Sequence, residues 1–258
     1  MQILILSFAL TWVQTVFATA SNRPLDDCIS QCRTRFPSGL NMDNNRGSGA
    51  THTIMVAPEG VGLRFVPFSL NVPVGDTVRY IWTTPANHTV TLSSALAPCN
   101  KSGIADQRNF SSGVRNAKDG QQTFDVVVQT DKPQFFYCSV QQHCNKGMFG
   151  ILNPPTFGSV SVASIYDTVP TLGAGNEFLS NEISSSKVSQ WGADISLDGI
   201  SPEYHQAVAE NVLFTRAAMH ASVGQVERRE EGAEDAKLRL FSRLTSILSR
   251  GGLEDSVH

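Results

Sequence analysis

The stretch Phe135–Ile151, FFYCSVQQHCNKGMFGI, places two cysteines, a histidine and a methionine in a polar turn between two apolar runs. Counted from Cys138, His143 follows at the fifth position, Cys144 at the sixth and Met148 at the tenth. FFYC and FGIL have the aromatic and aliphatic content of adjoining strands, so the turn between them can aim a thiolate, an imidazole and a thioether at one point. A disulfide-stapled hairpin that merely contains a histidine would carry the same residues. The two readings differ by whether a fourth donor exists elsewhere, and His88 in NHTV (87–90), just past the strand-like TVRYIWT, can supply it.

Two imidazoles, one thiolate and one thioether form the donor set of a blue copper centre, with three strong trigonal ligands and a weak axial one. The sulfur donors favour Cu(I) and the imidazoles accept either oxidation state, so a rigid sheet can hold one compromise geometry for both. The plainer alternative is a copper-free sandwich in which the cysteine is simply buried and the methionine fills core. Any one of His88, Cys138, His143 and Met148 alone is weak; the four together favour the metal.

Working outward, Thr51 to Pro154 reads as short strands parted by Gly, Pro and Asn turns: THTIMVA, LRFVPFSLNV, TVRYIWT, TFDVVVQT and QFFYCSV. That spacing predicts an all-β sandwich or barrel of about 100 residues. Five cysteines are present, Cys28, Cys32, Cys99, Cys138 and Cys144. An odd number leaves one thiol unpaired, and a metal ligand must be that one.

Residues 51–154 resemble the cupredoxins, in particular the phytocyanin-like blue copper domains and the extracellular cupredoxin-like proteins of fungi. The likeness is carried by RFVPFSLNVPVGDTVRYIW (64–82), NHTV with Cys99 after it, FSSG (110–113) and KPQFFYCSVQQHCNKGMFGILNP (132–154). It implies a Greek-key β-sandwich holding one type 1 copper through His88, Cys138 and His143, with Met148 axial and a Cys99–Cys144 disulfide beside the site. It also implies that the backbone N–H of Thr89, and that of Ser139, bond the thiolate and tune its potential. Methionine at the axial position, where some relatives have glutamine, implies the higher potential. An electron-transfer role follows, with a redox partner docking at the exposed edge of His143 among Gln141, Gln142 and Lys146. Cys28 and Cys32 then remain for each other, and nothing in the resemblance matches them.

The flanks give the domain organisation. Residues 1–20, MQILILSFALTWVQTVFATA, are apolar and end in Ala-Thr-Ala, the pattern of a cleaved signal peptide. Residues 21–50 form an N-terminal segment with the cysteine pair, and 51–154 the copper domain. Residues 155–200, rich in Gly, Ser, Thr and Pro, read as a linker. Residues 201–258 read as a helical extension and charged tail: one helix from Ser201 with apolar Val208, Val212 and Leu213, another from about Ala233 with Leu240, Phe241, Leu244, Ile247 and Leu248 at helical spacing. Basic residues along 237–250 suit a helix docked on its own domain or on a partner better than one lying on a membrane. Arg228-Arg229 could mark a processing site.

A secreted or extracellular location is expected, with cell-wall association an option. Sequons at Asn87, Asn100 and Asn109 agree; a glycan at Asn87 would crowd His88, so Asn100 and Asn109 are the better acceptors. The polar C-terminus lacks the apolar tail of a lipid-anchor signal. A net charge of −3 suggests no nucleic-acid partner, and no second apolar run suggests a transmembrane span. A monomer is expected. No enzyme is expected either: multicopper oxidases need His-x-His pairs, and a copper monooxygenase needs histidine as the first mature residue, where Ser21 is expected. The competing functional class is an extracellular wall, adhesion or interaction protein that uses the sandwich as scaffold, with copper incidental or absent.

Overall fold

Alternating inward and outward side chains build the first sheet of the computed structural model, which describes residues 47–103, 109–227 and 233–249. Strand β1 (Thr51–Val56) runs parallel to β4 (Thr77–Trp82), Thr51 opposite Thr77 and Val56 opposite Trp82. Strands β2 (Phe65–Val66) and β6 (Gln122–Val127) flank them antiparallel, giving the order β2-β1-β4-β6. Ile54, Val56, Val78, Tyr80 and Trp82 turn inward and are fully buried. Arg79 points outward and reaches Asp125 across the sheet at 2.6 Å. Period-two alternation of this kind marks a sheet with one wet face.

The second sheet has the order β3-β8-β7-β5, built from β3 (Ser69–Leu70), β8 (Phe149–Leu152), β7 (Gln134–Tyr137) and β5 (Thr91–Ser93). Its central strands FFY and FGIL do not alternate, because both of their faces are covered. Phe136 and Leu152 face the sandwich interior, where the Phe136 ring packs edge-on against Phe65 and Tyr80 with centroids 5.0 and 5.2 Å apart. Gly150, opposite Phe136, makes room for that ring: a Cβ there would lie 2.4 Å from it. Phe135, Tyr137, Phe149 and Ile151 face the other way, into a second apolar cluster shared with the helices.

The two-sheet sandwich with a helical extension is the fold expected from the sequence. Two local expectations are corrected. LRFVPFSLNV, read as one strand, is two, β2 and β3, because the chain changes sheets at Pro67. Residues 155–200, read as a linker, contain α1 (Val162–Thr168), α2 (Pro170–Glu182) and α3 (Ser186–Ser189). Their glycines serve packing: a Cβ on Gly175 would meet Leu213 and Leu248 at 3.1 Å, so the residue that suggested flexibility marks a close helix contact.

A short turn at Pro202–Tyr204 leads into α4 (His205–Glu227), and α5 (Ala233–Ser249) follows. Val208, Ala209 and every residue from Asn211 to Ala218 are buried, since α4 lies between the second sheet and the other helices. Buried Arg216 ties the layer together, donating to the Trp191 carbonyl and to Asn176 Oδ1, each at 2.7 Å. Helix α5 docks through Phe241, stacked on Phe214, and Leu244, with Arg243 exposed near Glu182. Among the described residues no helix is long and apolar enough to cross a membrane. Residues 1–20, expected to be a signal peptide, together with Cys28, Cys32 and Arg228-Arg229, lie outside the described residues.

Candidate metal centre

Where β7 ends, Cys138 donates its backbone N–H to the Met148 carbonyl at 3.0 Å, so the ligand loop is closed at its base. Between them the chain winds into a helical turn. His143 N–H donates to Val140 O, Gly147 N–H to Cys144 O, and Met148 N–H to His143 O. Gln141 and Gly147 both take positive φ, 40° and 95°, which lets so short a loop fold back on itself. His143 is thereby returned to the side of Cys138.

His88 lies just before β5, the strand that pairs with β7, Thr91 opposite Tyr137. Its backbone pairs in both directions with Arg115, N–H to O at 2.9 Å each way. The next residue joins the two ligand segments: Thr89 N–H donates to Cys138 Sγ at 3.4 Å, and Thr89 Oγ1 accepts from Ser139 N–H at 2.7 Å.

The result is a cluster of His88, Cys138 and His143 whose ligand atoms lie within 4.8 Å of one another. Sγ of Cys138 is 3.8 Å from His88 Nδ1 and 3.5 Å from His143 Nδ1. Whether these donors fit one metal ion can be checked by triangle. Metal–nitrogen and metal–sulfur bonds of about 2.0 and 2.3 Å at a trigonal angle separate N from S by roughly 3.7 Å. The observed pair brackets that value, so the donors fit. His88 and Cys138 are buried and His143 is partly exposed, which leaves one imidazole at the surface. Met148 is fully buried in the same apolar cluster as Cys138.

Burial governs the protonation of this group. It pushes the Cys138 thiol up, against the stabilising N–H groups of Thr89 and Val140. It pushes His88 down to about 4, helped by the neighbouring His143, and lowers His143 too, with Lys146 adding to the effect. Neutral imidazoles offer free lone pairs, and a protonated thiol must release its proton when a metal binds.

Cys99 and Cys144 form a disulfide of 2.09 Å beside the cluster. The Ser139 N–H, expected to bond the thiolate, donates to Thr89 Oγ1 instead. Asn87 is exposed and accepts from Asn116 Nδ2 at 2.8 Å; Asn100 and Asn109 are exposed. His52 and His205 lie elsewhere, bonded to Asp76 and to the Ile200 carbonyl.

Sequence reasoning missed a group that touches the ligand loop from outside. Arg64 donates from Nη1 to the Lys146 carbonyl at 2.5 Å and from Nη2 to Glu210 at 2.6 Å, and Asn211 Nδ2 donates to the Gly147 carbonyl at 2.9 Å. Only the length of the buried run in α4 could have hinted at it.

No protein-family model matches the chain. An extracellular serine-rich protein of the fungus Arthroderma benhamiae is 34% identical over 119 residues, 43% of this chain and 43% of that one. A probable GPI-anchored cupredoxin-1 of the same fungus is 32% identical over 131 residues, 50% of this chain and 64% of that one. The chain thus spans less than two thirds of either relative. The similar solved structures are cupredoxins. A reduced auracyanin of Roseiflexus castenholzii has 19% identity, a TM-score of 0.31 and coverage of 41% of this chain and 97% of its own. A plastocyanin of the fern Dryopteris crassirhizoma has 21% identity, a TM-score of 0.30 and coverage of 39% and 97%.

Proposed function

We propose that the chain is a secreted type 1 copper protein that binds one copper ion through His88, Cys138 and His143, with Met148 axial, and passes single electrons outside the cell. The observation that carries this reading is the pair of Nδ1 atoms at 3.8 and 3.5 Å from a buried, disulfide-free thiol. When bound, copper supplies a one-electron couple. The chain's own residues do the rest. Cys138 gives up its proton, and the N–H of Thr89 carries part of the thiolate's charge. His88 and His143 enter as neutral imidazoles. The Met148–His143 and Cys138–Met148 backbone bonds hold the donors in place whichever charge the centre bears. His143 is the partly exposed ligand, and Gln141, Gln142 and Lys146 around it are exposed and polar, a surface suited to brief encounters with a redox partner.

The test is the full chain, refolded oxidised and given Cu(II). One copper per chain and an intense blue colour are expected, and Cys138→Ala abolishes both. Protein with an intact Cys99–Cys144 bridge that takes up no copper refutes the reading.

A second reading has one specific support, the relative named an extracellular serine-rich protein. In it the sandwich and its helical layer form a wall or adhesion scaffold. A redox-silent protein that still binds a wall polymer would decide for it.

A further inference from the structure

The ligand loop's helical turn ends at Lys146 and Gly147, where such a turn leaves carbonyls without partners of its own. Gly147 O takes one bond from Phe149 N–H. The rest comes from outside the copper-bearing sheet. Asn211, 1% exposed on α4, donates Nδ2 to Gly147 O at 2.9 Å. Arg64 donates to Lys146 O and is itself held by Glu210 of α4 and by the Phe214 ring, 4.8 Å from its guanidinium carbon. Lys146 and Gly147 are the two residues directly before Met148, the proposed axial donor. Hydrogen bonds at consecutive carbonyls fix that stretch of backbone in both position and direction.

We infer that Asn211, with Arg64 beside it, is a positioning residue for the axial ligand, so that the C-terminal helical layer sets the axial contact of the copper. This rests on the copper reading above. The weak axial bond is the one whose length tunes a type 1 centre, and here its carrier is pinned by a helix that the sandwich itself does not contain.

The test compares Asn211→Leu with Thr215→Val in the full chain. Thr215 lies one turn along α4 and accepts from the Phe68 N–H at 3.0 Å, on the same sheet but away from the ligand loop. Both variants break one buried hydrogen bond made by a side chain of α4, so both lower the unfolding midpoint. In the metal-free protein, Asn211→Leu is expected to speed hydrogen exchange at the Gly147 and Met148 amides about tenfold, the loss of roughly one net hydrogen bond, while Thr215→Val leaves them unchanged. In the copper-loaded protein, Asn211→Leu shifts the visible band pattern and the reduction potential, and Thr215→Val shifts neither. Equal effects of the two variants, or unaltered exchange and spectrum in Asn211→Leu, overturn the inference while the copper reading stands. Wild-type protein that takes up no copper overturns both.

Discussion

Replacing Gly147 by alanine tests how tightly the ligand loop is clamped. Gly147 has φ +95°, a region that costs an L-residue about 1–2 kcal/mol. The added Cβ would also lie 2.7 Å from Arg64 Nη1 and 3.0 Å from Cζ, so the guanidinium must leave the Lys146 carbonyl. Loss of a charge-assisted bond of this kind costs about 1.5–3 kcal/mol. Gly147→Ala should therefore destabilise the protein by about 2.5–5 kcal/mol, a fall in thermal midpoint of roughly 5–20 °C for a domain of this size. Gly113 provides the control, since it too has positive φ, +65°, but no atom within 4 Å of its would-be Cβ. Gly113→Ala should cost only the conformational part, about 1–2 kcal/mol. The assay is urea unfolding of both variants, alone and with Arg64→Met, which keeps the apolar stem and removes the guanidinium. In the Arg64→Met background Gly147→Ala should fall to the Gly113→Ala value, a coupling of about 1.5–3 kcal/mol. Equal costs of Gly147→Ala in both backgrounds would refute the crowding by Arg64.

Removing the bridge with Cys99→Ala and Cys144→Ala opens a 45-residue loop and should cost about 4 kcal/mol in calorimetry; copper uptake should persist, because Cys138 is a separate thiol. Asp76 accepts from His52 Nε2 and from the N–H groups of Ala50 and Gly49, which hold its carboxyl below the ordinary range. A folded-state pKa below the unfolded value of about 3.9 gives stability that is complete above that pH and lost as pH falls through the folded value. Asp76→Asn should lower stability at neutral pH and flatten its decline below about pH 4, as followed by unfolding midpoints across an acid series; an unchanged acid limb contradicts the assignment.

The sequence carried the candidate site further than it carried the architecture around it. That Cys138 and His143 come together was legible because they crowd into one short turn, and the structure gathers them with His88; Met148 as a fourth donor stays a proposal. His88 was legible only as the missing donor, since its place beside Cys138 depends on the pairing of β5 with β7 and on the bonds of Thr89 to Cys138 and Ser139, which no local pattern announces. Strand β5 went unread because three residues carry no periodicity. The helices in 155–200 were hidden by Pro170, Gly173 and Gly175, residues of poor helix propensity that tertiary contact overrides. The clasp of Arg64, Glu210 and Asn211 joins positions 146 and 147 apart in sequence to one loop, a relation visible only in three dimensions.

The two-sided burial of β7 and β8 has a practical corollary for anyone wishing to excise the β-sandwich. Cutting after Pro154 follows the change in sequence texture, yet it would uncover Phe135, Tyr137, Phe149 and Ile151 together, a continuous oily wall on one side of the sheet. Such a surface drives self-association in water. A shortened chain would therefore need those four positions rewritten as polar residues before it could stay dispersed in water, and the helices are part of the smallest unit that keeps its native sequence.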